Sequence, residues 1–582
     1  MNTILCRPEK YNIMNMKSLK FVWILLLVFS TSSFSQNSKE FDMENTYLHF
    51  PVSWDEEFHA RLELVVDGKS VRTFDIFLPE KDPDFWVFMD ISKFKGKKAL
   101  LKTSSGEDMK GLELVYQSDD RTYLENVYKE DYRPQLHFSS IRGWHNDPNG
   151  LIYYDGEYHL FYQHNPYGWG WGNMHWGHAV STDLVHWKQM PEALYPDEVG
   201  VAFSGCAVID YNNTTGFRTG DEEVMVAIYT STFIPDDKQE EAGMEYMERQ
   251  SLAYSNDRGR IWHKFEDNPV IGDRSKELGS WNGRDPNVFW HEPSKKWIMI
   301  LFEKIGLSIF SSHNLKEWTH ESYFETFWEC PELFELPVDG DKNITKWVVY
   351  DAGGDYVIGD FDGKNFTVEN GPYTYINGEF FAAQTYENIP ESDGRQIQIG
   401  WATIETPDMP FNMMMAFPTV LSLQTTIDGV RLFNEPIKEI KNLHTKEHIY
   451  EDLSIDEANE RIGKMDTEKL HLKFQIDNVN IMNYGLRIGG DNINYTIRTN
   501  TFAYNEESFF SKYLPELGSN KISYEIIVDK TSIEVFVDEG RFTMVLARDL
   551  ESKEKGLEFW SDNGTDMKIQ SLEIYEMKSI WE

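Results

Sequence analysis

The sequence predicts an all-β protein: a β-propeller with a small N-terminal β domain before it and a C-terminal β-sandwich after it. Three observations predict this. Short apolar runs alternating with period two, bounded by Asp-Gly and Asn-Gly turns, recur along most of the chain. A weak repeat runs through the middle of the sequence. The regions on either side lack the repeat and keep the alternation.

At the N-terminus, Lys17 and Lys20 precede the apolar run Phe21–Phe29, and Ser33 and Ser35 stand at −3 and −1 of a cut before Gln36. This is the layout of a secretory signal peptide over residues 1–35, with Met16 as an alternative start. The apolar run is too short to cross a bilayer. The expectation is a secreted or periplasmic protein without an integral membrane span.

Residues 43–117 read as an N-terminal β module. Ala60–Val66 and Val71–Leu78 alternate apolar and polar residues around an Asp67-Gly68 hairpin turn. Residues 118–135, charged and poor in apolar side chains, read as a linker.

Residues 136–440 carry the repeat. Ser181-Thr182-Asp183-Leu184-Val185-His186-Trp187 matches Ser312-His313-Asn314-Leu315-Lys316-Glu317-Trp318. Ser255–Trp262 is a version one residue longer, and Phe361–Phe366 is an eroded copy. Hairpins turn at Asp155-Gly156 and after Trp290. Repeated small antiparallel sheets at this spacing are the signature of propeller blades, which bring residues distant in sequence to one central funnel. Residues 441–582 read as a β-sandwich, entered through an acidic, Lys-rich separator at 444–468.

The formal charge of −40 opposes binding to a phosphate backbone, so nucleic acid is not an expected partner. A neutral substrate fits. Aromatic residues make up 14% of the chain, enough to offer stacking platforms for sugar rings as well as core. After signal removal only Cys206 and Cys330 remain. One pair is no disulfide framework, and whether they bond stays open. His175 and His178 are spaced for opposite faces of a strand, not for a shared metal. Ser204-Gly205-Cys206 lacks the flanking glycine of a nucleophile elbow, and no phosphate-cradling loop is present.

Three carboxylates stand out. Asp147 lies in Trp144-His145-Asn146-Asp147-Pro148-Asn149-Gly150, where Pro148 extends the preceding backbone and Asn149-Gly150 favours a turn. Asp285 repeats the Asp-Pro-Asn unit with Arg284 beside it, a cation expected to keep it ionised. Glu329 sits between Trp328 and Cys330-Pro331, apolar neighbours expected to favour its protonated form. Each motif alone also has a plain structural reading as turn, ion pair or loop. Together, two carboxylates with separated pKa values fit glycoside hydrolysis, one attacking the anomeric carbon and one protonating the leaving oxygen.

These motifs resemble glycoside hydrolase family 32, the family of invertases, inulinases and levanases. The matching pieces are Trp144–Gly150, Gln163-His164-Asn165-Pro166-Tyr167, Trp176-Gly177-His178, Phe203-Ser204-Gly205, Arg284-Asp285-Pro286, Glu329-Cys330-Pro331 and Ile399-Gly400-Trp401. The resemblance covers about residues 136–582. It implies a five-bladed propeller plus sandwich, and a retaining mechanism on fructosides with no metal or organic cofactor. It implies Asp147 as nucleophile, Glu329 as general acid/base and Asp285 as transition-state stabiliser. Asn146, Gln163, Trp171, Phe203, Ser204, Arg284 and Trp401 would line the fructose pocket. His145, where the family usually has Met, and Cys206, where Ser is commoner, depart from the pattern. The expected activity is hydrolysis of β-D-fructofuranosyl linkages in levan or inulin, with sucrose as a further substrate and terminal fructose released. The alternatives are a catalytically silent fructan-binding protein and an inverting propeller glycosidase acting on arabinan or xylan.

Overall fold

The computed structural model describes residues 37–104, 109–235, 237–280, 283–325, 327–477, 482–505, 507–510, 521–562 and 567–582. The expected signal peptide at 1–35 lies outside the described residues. The regular structure of the described chain is nearly all strand, and none of its helices is long and apolar enough to cross a membrane.

Two sheets come first. One orders its strands Ser38–Asp42, Lys98–Thr103, His59–Val66 and Lys69–Phe77, and the other Phe85–Asp90, Tyr47–Val52 and Tyr116–Ser118. Their alternating side chains close a core around Phe50, Leu62, Leu64, Phe74 and Val87. Asp67 and Gly68 both take positive φ, as the tight hairpin between two twisted strands requires.

Residues 118–135 differ from the expected linker. Arg133 is fully buried: it pairs with Glu130, donates to Ser139 and to the carbonyls of Ser140 and Ile141, and lies 3.3 Å over the Phe411 ring. A buried guanidinium with its partners supplied fixes the chain here, despite the polar composition.

From Gly143 onward the chain forms successive antiparallel sheets. In the first, Gly143–Tyr154, Glu157–Asn165, His175–Ser181 and Lys188–Gln189 follow in order. The second holds Val201–Asp210, Val224–Phe233, Met247–Ser255 and His263–Lys264, and the third Gly283–His291, Lys296–Glu303, Gly306–Ser312 and Thr319–Phe324. A nine-stranded sheet follows. It consists of the four strands from Glu332–Val338 to Phe366–Thr374 and of Phe381–Thr385, Gln396–Ala402, Met414–Met415, Thr419–Thr426 and Gly429–Pro436, joined where Val338 and Leu423 pair in parallel. The first strands meet one another: 143–154 packs on both 201–210 and 381–385, and 201–210 packs on 283–291.

The sequence repeat falls between the third and fourth strands of successive sheets. In each copy a carboxylate or amide caps the turn: Asp183 Oδ1 accepts from the amides of Val185 and His186, and Asn314 Oδ1 from those of Lys316 and Glu317. Asp257 and Asp362 do the same work at Ile261 and at Lys364 and Asn365. The repeat is turn chemistry, which explains why it is short.

The C-terminal residues make two further sheets, seven- and five-stranded, around one apolar core. The expected separator at 444–468 differs from expectation. His444–Ser454 is the edge strand of the larger sheet, and Ile455–Ile462 is a helix opened by a Ser454/Glu457 capping box. At the opposite edge of that sheet, Ile376–Gly378 pairs in parallel with Phe542–Ala547. Gly378, at φ +87°, is required there: a Cβ would lie 2.1 Å from the Val545 carbonyl. His137 also joins the two regions, bonding Asp529 at 2.8 Å and Glu534 at 3.1 Å in full burial.

Candidate active site

The two Asp-Pro-Asn units occupy β-bulges inside continuous strands, not the turns expected. Between His145↔His164 and Pro148↔Tyr162 the register slips, so that Asn146 and Asp147 together oppose Gln163 alone. Between Arg284↔Phe302 and Asn287↔Ile300, Asp285 and Pro286 oppose Leu301. A third bulge sets Phe203 and Ser204 against Thr230, and a fourth lifts Ala382 and Ala383 from the strand before Trp401. A bulge leaves its extra residue out of the ladder and re-aims the side chains. Proline, lacking an N–H, loses nothing there. All four bulges lie on first strands or, for Ala382 and Ala383, on the strand that packs against 143–154, so the displaced side chains converge.

Asp147 Oδ1 accepts from Asn146 Nδ2 at 3.0 Å, and Trp144 Nε1 fixes the Asn146 amide through its oxygen at 3.0 Å. Asp147 Oδ2 accepts from Ser204 Oγ at 2.5 Å and from the Cys330 thiol at 3.8 Å. Asp285 is held by its backbone, with its N–H donating to Thr230 Oγ1 at 3.0 Å, and its Oδ2 accepts the Cys330 N–H at 3.3 Å. Cys330 therefore ties the two aspartates together. Its positive φ of 51° turns the backbone between Glu329 and the strand that begins at Glu332.

Arg284 is shared differently from the sequence expectation. Its Nε and one terminal nitrogen donate to Glu329 Oε2 at 3.0 and 2.5 Å, and another nitrogen reaches Glu248 at 3.3 Å. Its approach to Asp285 is 3.6 Å. Arg284 does not keep Asp285 in the ordinary carboxylate range: burial pushes Asp285 well above it, Arg284 opposes, and the charges of Glu329 and Asp147 add to the rise. Burial also raises Asp147, with Ser204 and Asn146 pulling down and Glu329 pushing up. Three carboxylates thus act on one another across a shared space. The expected apolar shelter of Glu329 is absent: Trp328 is 68% exposed, and the Glu329 side chain keeps 30% of its surface open beside Arg284.

The pocket residues named from the sequence fall around this cluster. Trp171 is 56% exposed and meets Phe203 edge-on at 5.9 Å. Trp401 stands at 5.9 Å from Trp144. Gln163 Nε2 and Trp401 Nε1 are buried without a hydrogen-bond partner, donors a polar ligand would satisfy. His145 points away from the cluster, packing between Phe138 and Tyr162, where burial lowers it to about 3. Cys206 and Cys330 are both free thiols, which closes the question of a bond between them. Among the described residues no cluster has the makings of a metal site.

Sequence reasoning missed Glu248, Thr230 and the donor role of Cys330. Glu248 is buried, receives Tyr246 Oη at 2.6 Å and Gly283 N at 2.7 Å, and braces Arg284 from behind. It stands in an ordinary alternating strand with no motif around it. Only its charge at a buried position marks it, and burial is not readable from one strand.

Residues 137–436 match the Glycosyl hydrolases family 32 N-terminal domain, and residues 439–576 match the Glycosyl hydrolases family 32 C terminal. A levanase of Bacillus subtilis (strain 168) is 39% identical over 504 residues, 78% of this chain and 72% of that protein. An extracellular exo-inulinase of Aspergillus awamori is 33% identical over 527 residues, 79% of this chain and 97% of that one. Among solved structures, exo-inulinase from Aspergillus awamori superposes with a TM-score of 0.67 at 29% identity, over 78% of this chain and 100% of that chain. A β-fructofuranosidase from Schwanniomyces occidentalis complexed with fructosyl-erythritol gives 0.66 at 25%, over 77% and 98%. With both family domains matched in order across the region that carries the carboxylate cluster, this chain belongs to glycosyl hydrolase family 32.

Proposed function

We propose that this chain is a secreted or periplasmic, retaining fructan β-fructosidase, exo-acting on the β-D-fructofuranosyl linkages of levan or inulin. The observation that carries the reading is the convergence of Asp147 and Asp285, from two separate sheets, and Glu329, from the turn before Glu332–Val338, into one cluster whose charges act on one another. Levanase and exo-inulinase relatives support the substrate class. The sheets from Gly143 to Pro436 are read as a five-bladed propeller at 136–440, the remainder as a sandwich at 441–582, and 43–117 as a separate module.

In this reading Asp147, steadied by Ser204 and Asn146, attacks C2 of the terminal fructosyl unit. Glu329 protonates the leaving glycosidic oxygen. Both Arg284 contacts fall on Oε2, which leaves Oε1 to carry that proton. The covalent fructosyl-enzyme is then opened by water, with Glu329 now taking the proton and Arg284 steadying the carboxylate that had formed. Asp285 binds ring hydroxyls and gains strength as positive charge grows on the sugar. Asn146, Gln163, Trp171, Phe203, Ser204 and Trp401 line the pocket, with Gln163 Nε2 and Trp401 Nε1 as donors in waiting.

The test is incubation with levan, inulin and sucrose, reading the first-formed anomer of fructose by NMR. Release of β-fructofuranose supports the proposal. Inverted product would mark an inverting enzyme, and no release from any of the three would mark a binding protein.

A further inference from the structure

The family matches begin at residue 137 and leave the two N-terminal sheets without an assigned task. The loop that carries Trp171 reads Tyr167-Gly168-Trp169-Gly170-Trp171-Gly172-Asn173. Three glycines in seven residues make a backbone that is costly to order, and a Cβ on Gly170 would meet nothing within 4 Å. Yet this loop presents an exposed indole against Phe203, at the edge of the carboxylate cluster. Something outside the loop has to fix it.

Both ends of the loop are held by the N-terminal sheets. Asn173, at φ +46°, clasps the edge strand Lys69–Phe77 in the manner of a neighbouring strand. Asp75 N–H donates to its Oδ1 at 2.8 Å, and its Nδ2 donates to the Asp75 carbonyl at 2.7 Å. Tyr167, 2% exposed, inserts into the N-terminal core with its ring 4.4 Å from that of Phe74 and 6.4 Å from that of Phe50. Asn165 links the two ends: its Oδ1 accepts from Tyr167 N and Asn173 Nδ2, and its Nδ2 donates to the Gly170 carbonyl. From the same loop, Gly168 O accepts the Trp144 N–H, two residues before Asn146.

We propose that the N-terminal sheets are a brace that holds the Trp171 loop in place for sugar binding, with Asn173 and Tyr167 as positioning residues. The inference rests on the fructosidase reading for its kinetic arm only. Breaking the clasp frees the loop without touching a reacting group, so binding weakens while turnover of bound substrate holds.

The experiment uses the full chain. Asn173→Gly keeps the left-handed backbone and removes the clasp. Amide hydrogen exchange over 168–172 should quicken about tenfold, in line with the loss of the two hydrogen bonds to Asp75 and the one to Asn165, while exchange in His59–Val66 stays unchanged. KM for a fructo-oligosaccharide should rise several-fold with kcat within about twofold, the mark of lost binding alone. Asp75→Asn should match wild type in both readouts, since the clasp uses only the backbone of that residue. Unchanged exchange over 168–172 in Asn173→Gly overturns the proposal, as does faster exchange with unaltered KM. If the wild-type chain hydrolyses no fructan, the fructosidase reading fails by itself, and the exchange arm still decides whether the brace exists.

Discussion

Two sets of strands in this chain use the same residues in opposite ways. In the C-terminal sandwich, Leu470–Asp477 pairs with Lys521–Val528 residue for residue, and Ser532–Val537 pairs with Phe542–Ala547 without a slip. In the sheets before it, the strands around the cluster break register at Asn146-Asp147, Phe203-Ser204, Asp285-Pro286 and Ala382-Ala383. At three of these four points the ladder gives way where a polar side chain, Asp147, Ser204 or Asp285, leaves the sheet and faces the cluster. Where the sandwich ladder does slip, between His444 and Lys446 and between Gln475 and Ile476, none of the clustered carboxylates stands at the slip. Chemistry in this fold sits at interruptions of regular pairing, and the interruptions are tolerable because the strands on either side stay buried and paired.

The largest effect should come from a bulge. Asp147→Asn keeps shape and hydrogen-bonding size, yet should lower kcat more than Glu329→Gln, for which the loss of a general acid gives ~10²–10⁴-fold. Thermal unfolding of both variants should stay near wild type. A fall in Tm together with the rate would mean that the bulge carboxylate is structural. The converse cut is Ile533→Ala in the fully buried sandwich core. It should cost about 2–5 kcal/mol in urea unfolding and leave KM unchanged.

His137 tests the seam between the regions. Burial alone would lower it, but Asp529 and Glu534 prevail and lift it from 6.5 to about 9. A folded-state pKa raised above the unfolded one stabilises fully below pH 6.5, and the contribution disappears as pH passes about 9. Urea midpoints should therefore fall across that window by an amount worth ~3 kcal/mol, and His137→Gln should flatten the fall. Next in size is Ser204→Ala. A nucleophile must be ionised, so kcat/KM falls on the acid side as pH drops through the Asp147 pKa, which burial has already raised. Removing the hydroxyl that favours the anion should move that limb to higher pH by about one unit. The smallest effect is Ser454→Ala, which opens the capping box of Ile455–Ile462. It should cost about 1 kcal/mol with no change in any kinetic constant.

The same contrast decides what could be read in advance. Sandwich strands such as Ser532–Val537 and the Asp67-Gly68 hairpin follow from alternation and turn residues, because those signals are local. The identity of Asp147, Asp285 and Glu329 as a set was legible through motifs. Their environments were not. Arg284 turning from its sequence neighbour Asp285 to Glu329 depends on which strands lie side by side. The exposure of Trp328, and Glu248 standing behind Arg284, depend on the same packing. The charged stretch 118–135 read as a linker because composition does not reveal that Arg133 finds Glu130 and the Phe411 ring.

The short strand Ile376–Gly378 has a consequence for any attempt to separate this chain into parts. It is borrowed from the middle of the sequence to finish a sheet whose other members all lie beyond residue 440. A fragment ending at 440 would keep the lender and lose the borrower, leaving three residues of backbone with nothing to answer them. The complementary fragment would expose the flank of Phe542–Ala547 as an open invitation to stick to its own copies. The two halves are therefore cut from one cloth, and each is expected to be soluble only in the company of the other.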